Sequence, residues 1–153
     1  MKWLLLVLVL PLLLIGGGLL LNRPPLFSPP GPVERLRTYL TTNIAETRPD
    51  HVFPELRTPL VPANPERTQQ AVATAMRALG WQEIRAGQGE VRAVVVSALL
   101  RFRDDVTVQL EATAGGTLLQ ARSASRIGKG DLAANGRHLR ELFAQVEGLV
   151  GAR

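Results

Sequence analysis

The sequence predicts an α+β fold: one helix, four antiparallel strands and a second helix, with both helices on one face of the sheet. Three observations carry that expectation. Val106, Val108, Leu110 and Ala112 alternate with Asp105, Thr107, Gln109 and Glu111, the two-residue period of a strand with one dry and one wet face. Asn64-Pro65 opens, and Gly80 closes, a segment whose apolar residues recur at helical spacing. Gly87-Gln88-Gly89 and Gly115-Gly116 each separate two β-rich runs, as hairpin turns do.

The chain divides into residues 1–22, 23–62 and 63–150. Trp3 to Leu21 is nineteen residues without a charge, close to the ~20 that cross a hydrocarbon layer, and predicts a single transmembrane anchor through residues 3–21. The competing reading is an exported chain's signal peptide, with Lys2 as its positive start; no small-x-small cleavage pattern precedes Asn22. With the amino terminus in the cytoplasm, the folded part would be extracytoplasmic. Pro24, Pro25, Pro29, Pro30 and Pro32 then form a stiff spacer, because proline lacks an amide donor and has a fixed φ. Val33, Leu36 and Leu40 give a short helix. Thr47 to Pro62, with four prolines among single apolar residues, reads as an extended arm laid over the domain.

In the domain, the first helix covers Pro65–Leu79 and buries Ala71, Val72, Ala75, Met76 and Leu79. Strands follow over 81–86, 90–97, 105–114 and 117–126. A Gly115-Gly116 turn pairs Ala114 with Thr117, placing Leu110 opposite Ala121, Asp105 opposite Arg126 and Gln109 opposite Arg122. The last helix starts at Asp131 and buries Leu132, Leu139, Leu142, Phe143, Val146 and Leu149.

Composition limits the function classes. A 153-residue chain with this apolar head has room for one small core. The net charge of +5 is carried by arginine apart from Lys2 and Lys129, and is scattered among acids rather than massed. Neither a nucleic-acid motif nor an aromatic stacking platform accompanies it, so no nucleic acid is expected as partner. Without cysteine there is no disulfide, thiolate metal site or thiol nucleophile. Two histidines, His51 and His138, lie too far apart to suggest zinc, and no metal or cofactor is expected.

Two blocks carry a family resemblance. Leu99-Leu100-Arg101-Phe102-Arg103-Asp104-Asp105-Val106 is followed by Ala121-Arg122-Ser123-Ala124-Ser125-Arg126-Ile127-Gly128-Lys129-Gly130-Asp131, then Asn135 and Arg137. Over about residues 50–150 this resembles the family catalogued as domain of unknown function 1499. The resemblance implies a small domain behind a membrane anchor or export signal, and no established activity. The chain departs from the family in one place: Asn43-Ile44-Ala45-Glu46 stands where many members carry an Asn-Cys-Val-Ser-like element, so a role tied to that cysteine does not carry over.

The second block supplies the candidate binding residues: Arg122, Ser123, Ser125, Arg126, Lys129, Asp131, Asn135 and Arg137. Gly128-Lys129-Gly130 ahead of a helix offers free amides and a cation to an anion, although it is no Walker sequence, since Ser123 and Gly130 replace the required glycine and hydroxyl. Asp104-Asp105 is the candidate acid pair. Neighbouring strand residues face opposite ways, so Asp105 is expected to form a structural ion pair with Arg126. The expected function is a non-catalytic, envelope-associated binding module for an anionic ligand, a lipid head group or a partner protein. The rival is a hydrolase-like enzyme with a polar site around Asp104, Asp105, Arg122, Ser123 and Arg126. A purely structural component is the third reading.

Overall fold

The computed structural model describes the backbone of residues 2–98 and 100–151, with side chains from residue 9 onward; Met1, Leu99 and residues 152–153 lie outside it. It is an α+β fold of four helices and one antiparallel sheet among the described residues: α1 (Lys2–Asn22), α2 (Pro32–Thr41), β1 (Ile44–Glu46), β2 (Leu60–Val61), α3 (Pro65–Ala78), β3 (Gln82–Gly87), β4 (Glu90–Val96), β5 (Arg103–Thr113), β6 (Gly116–Ser125) and α4 (Ala134–Gly151).

The sheet has six strands where the sequence predicts four. Its order is β1-β6-β5-β4-β3, with β2 also on β6. β2 comes from the segment expected to lie over the domain as an arm, and β1 from the residues just ahead of it. Ile44, Ala45 and Glu46 pair with Ala124, Ser123 and Arg122, and Leu60 and Val61 pair with Leu118 and Thr117. The two short strands together cover the edge β6 would otherwise expose, which removes a row of unpaired amides and carbonyls.

The β5–β6 register differs by two positions from the expected one. Thr113 pairs with Gly116, Leu110 with Leu119, Thr107 with Arg122 and Asp105 with Ala124. The turn is thus made by Ala114-Gly115, and Gly116 adopts φ 137° while its α-carbon lies against the Val61 carbonyl. Side chains alternate with period two, so the slip leaves every residue on its expected face.

α3 begins as its cap dictates: Asn64 Oδ1 accepts from Arg67 N at 2.9 Å, and Pro65 occupies the first turn. α3 and α4 pack on each other and on the sheet. Val72, Ala75, Met76, Leu139, Leu142 and Val146 interdigitate there with Val91, Val106, Val108 and Leu119 in a fully buried layer. α4 starts at Ala134 rather than Asp131, because Leu132 and Ala133 have φ 51° and 70° and turn the chain first. At its far end Val150 is buried and Leu149 is exposed.

α2 also turns a different face inward. Arg35 and Tyr39 are buried, whereas Val33 and Leu40 are exposed.

The transmembrane span expected over residues 3–21 is not found. Among the described residues no helix is long and apolar enough to cross a membrane. The physical reason lies in the last turns of α1, which the domain occupies. Gly18 lies against the Leu132 side chain, Leu19 packs on the core, and buried Asn22 donates to the Leu132 carbonyl at 2.8 Å. What remains ahead of Gly18 is interrupted by Pro11 and is shorter than the ~20 residues a crossing requires.

Candidate functional site

The second sequence block folds into the junction between the end of β6 and the start of α4. Ser123 and Asn135 are fully buried, and the Ser123 hydroxyl donates to Asn135 Oδ1. Asn135 Nδ2 in turn donates to Asn43 O at 2.8 Å and to Ser125 Oγ at 2.9 Å. Asn43 Nδ2 donates to the Ser125 and Gly128 carbonyls. Asp131 closes the junction, accepting from Ala133 N at 2.9 Å and Asn135 N at 2.8 Å. Burial raises the Asp131 carboxyl above its usual range, and the amide bonds only partly oppose this. Four of the candidate binding residues are therefore engaged with one another or with the backbone.

Asp104 and Asp105 leave β5 on opposite faces. Asp105 is half-exposed and accepts from Arg126 Nε at 2.9 Å and Nη2 at 2.7 Å; that hydrogen bond holds its carboxyl below the usual range. The contact is diagonal, since Ala124 is the residue directly across the ladder. Asp104 is 5% exposed, and burial pushes its pKa up. Its Oδ1 has no hydrogen-bond partner among the described residues, while Oδ2 lies 3.7 Å from His138 Nδ1.

Ser123, His138 and Asp104 do not make a catalytic relay. Ser123 Oγ lies 3.4 Å from the same nitrogen, Nδ1, that Asp104 approaches. A base needs its nucleophile on one ring nitrogen and its orienting acid on the other. Burial, with Arg137 adding to it, lowers the His138 pKa to about 3, so the ring is neutral and its contact with Asp104 is no ion pair. Arg137 lies along α4 with Glu141 3.7 Å away, and Lys129 is exposed on the turn.

A second polar centre is open to solvent. A cleft of about 440 Å³ lies between α2, the β1 and arm segment, and the start of α4, with Arg122 of β6 on its rim. The volume is within the range of small-molecule sites, about 300–1,000 Å³. Behind it Arg35, 0% exposed, is held by the Ser28 and Pro29 carbonyls and by both oxygens of Glu55, at 2.6 and 3.0 Å; its guanidinium stacks 4.3 Å over the Phe53 ring. Burial is the largest single influence on the Glu55 carboxyl and would raise it, but the Arg35 hydrogen bond, a backbone hydrogen bond and the charges of Arg35 and Arg140 together hold the pKa below its ordinary value. Arg35 also donates to the Tyr39 hydroxyl at 2.9 Å, and Tyr39 lines the cleft. This bidentate pair makes the back wall rigid.

His51 lines the same cleft. Its Nδ1 accepts from Phe53 N at 2.9 Å, so in the neutral ring the proton sits on Nε2; burial lowers its pKa and favours that neutral form.

Arg140 of α4 is the cleft's least ordinary side chain. Its Nη2 donates to the Asn22 and Arg23 carbonyls at 2.9 and 3.3 Å, at the carboxyl end of α1. Among the described residues it has no carboxylate within ion-pair distance, and burial lowers its pKa. One nitrogen is anchored, and Nε and Nη1 remain as donors. Gly136, one turn earlier, leaves the space beside Nη1 open.

Groups around the cleft divide into engaged and free. Glu55 is held by Arg35, Glu46 by Arg48, and Asp131 by two amides. Among the described residues, neither Arg122 nor the Glu34 carboxylate makes a hydrogen bond or ion pair. Of the candidate binding residues, the cleft includes Arg122 and Asp131 and leaves out Ser123, Ser125, Arg126, Lys129, Asn135 and Arg137. It adds Tyr39 and His51, which sequence reasoning missed, and Arg140, which the sequence groups with Arg122, Arg126 and Arg137 as a cationic patch.

Comparison with curated proteins finds no match. The family model described as a protein of unknown function, DUF1499, matches residues 23–146, beginning ahead of α2 and so taking in the arm and every wall of the cleft. The chain belongs to the DUF1499 family.

Proposed function

We propose that this domain is a non-catalytic binding module that takes a small anionic ligand in the cleft between α2, β1 and α4. Arg140 is the observation that carries this reading. A half-buried guanidinium without a carboxylate partner is costly unless something complements it, because desolvation weakens its charged form. Anchoring by the Asn22 and Arg23 carbonyls fixes its plane and leaves Nε and Nη1 as separate, charge-assisted donors to a carboxylate or phosphate oxygen. Arg122 adds a second cation on the rim. The burial of Ser123 and Asp104, 0% and 5% exposed, speaks against a hydrolase built on them.

The test is isothermal calorimetry on the full-length chain with hexanoate and with inorganic phosphate. At least one should bind with a millimolar or better Kd, and Arg122→Gln and Arg140→Gln should each weaken it about tenfold, the loss expected of one charge-assisted contact. Equal binding by both variants, or no heat from either anion, would remove the proposal.

A further inference from the structure

Resting on the anion-binding reading, we infer that the cleft's ligand is an amino-carboxylate, with an ammonium group as well as the acid. The anionic end is held by Arg140 and Arg122. The cationic end is recognised by Glu34, at the first turn of α2 on the facing wall. The argument is one of complementarity. After the internal ion pairs and the amide-held Asp131 are subtracted, two guanidinium groups and the Glu34 carboxylate are the charged side chains around the cleft left without an ion-pair partner among the described residues. A ligand bearing only negative charge would complement the arginines and meet repulsion at Glu34. The surrounding acids, Glu46 and Glu55 included, disfavour a dianion further. A ligand with both charges satisfies both walls, and opposite walls give it a fixed direction.

The middle of the ligand is apolar. Ile44 and Val52 are 40% and 63% exposed and border the cleft, with Phe53 and Leu56 buried beneath them. Such exposed aliphatic surface inside a charged rim is what a short hydrocarbon segment covers. Glycine-sized zwitterions would leave that surface wet, so the class is an amino acid of about five or six carbons rather than the smallest ones.

A matched set of six-carbon probes tests this by calorimetry on the full-length chain. Norleucine and 6-aminohexanoate are isomers with the two charges close together or far apart; hexanoate lacks the amine and hexylamine lacks the acid. One of the two isomers should bind at least about tenfold tighter than hexanoate, and hexylamine should bind weakest. Whichever isomer wins fixes the spacing of the two charges. Glu34→Gln should erase the advantage over hexanoate while hexanoate itself binds as tightly as before or tighter, which also shows that the variant is folded. Hexanoate binding as tightly as both isomers would overturn the amino-carboxylate assignment while keeping the anion site. Absence of binding by all four would sink the amino-carboxylate reading, and if inorganic phosphate also gives no heat, the anion site falls with it.

Discussion

Asn135 Nδ2 lies 2.8 Å from the carbonyl oxygen of Asn43, 92 residues earlier in the chain. One side chain thereby joins the start of α4 to the segment leading into β1, and with Ser123 and Ser125 it forms a closed, buried hydrogen-bond set. Asn135→Ala leaves a backbone carbonyl and two hydroxyls without their partner in a dry site, a loss of about 2–4 kcal/mol. Urea unfolding measures it directly. By contrast, Arg126→Ala removes an exposed pair and should cost far less, because solvent screens it. Comparable losses for the two variants would contradict a binding-free, structural role for Asn135.

Glu55→Ala strands Arg35 as an uncompensated buried cation and should cost about 3–5 kcal/mol. Replacing both groups, as in Arg35→Met with Glu55→Leu, should recover about half of that loss. If Glu55→Ala unfolds at the same urea concentration as the parent chain, the back wall of the cleft is not held as described.

Stability should fall with acidification through His138. Its folded pKa of about 3 is depressed from the ordinary 6.5 by burial, so between these values the unfolded chain binds the proton and the folded one does not. The stability difference is fully present above about pH 6.5 and is lost as pH falls, at ~1.4 kcal/mol per pH unit. Other groups act as well: His51, lowered by burial, adds to the same slope, and in the carboxylate range Asp105, lowered by its Arg126 hydrogen bond, does likewise. Glu55, whose folded pKa is lowered, loses stability there in the same direction. Asp104 and Asp131, whose folded pKa values are raised mainly by burial, take up protons in the folded chain first and oppose that slope. Unfolding free energies measured from pH 7 to pH 5 should slope in the parent and slope less steeply in His138→Gln, where the His51 contribution remains; parallel curves would refute the assignment.

Gly130→Ala should destabilise the fold by about 2 kcal/mol or more, although its φ is ordinary. A Cβ there would stand 2.5 Å from the Leu40 carbonyl oxygen and 2.8 Å from that of Tyr39, so the turn and the end of α2 would have to separate. Gly128→Ala, at φ 96°, meets strain without that collision and should cost about 1 kcal/mol. Thermal denaturation of the two variants ranks them, and the reverse order would show that the close approach to α2 is dispensable.

Helix α3, both hairpins and the buried face of β5 were legible because each is specified locally, by a cap, a glycine turn or an alternation. β1 and β2 were not. Strands of three and two residues are too short to show a period, and they exist because β6 offers them a free edge. The two-position register slip was hidden for a related reason: both registers bury the same residues, and the Ala114-Gly115-Gly116 run admits either turn. α2 misled because its apolar spacing competed with the Arg35–Glu55 pair, whose partner lies 20 residues on and is invisible to periodicity. The same limit applies to the cleft. Arg122 and Asp131 stood out in a motif, while Tyr39, His51 and Arg140 become neighbours only through the fold.

β6 is the partner of both β1 and β2, yet it is made long after them. During synthesis, which runs at about 5–20 residues per second, residues 44–61 leave the ribosome with nothing to pair with until residues 117–124 follow. The amino-terminal third of the domain is therefore the last part of the sheet to be completed. A chain interrupted before Gly116 would hold the α2 and arm walls of the cleft without the strand that aligns them.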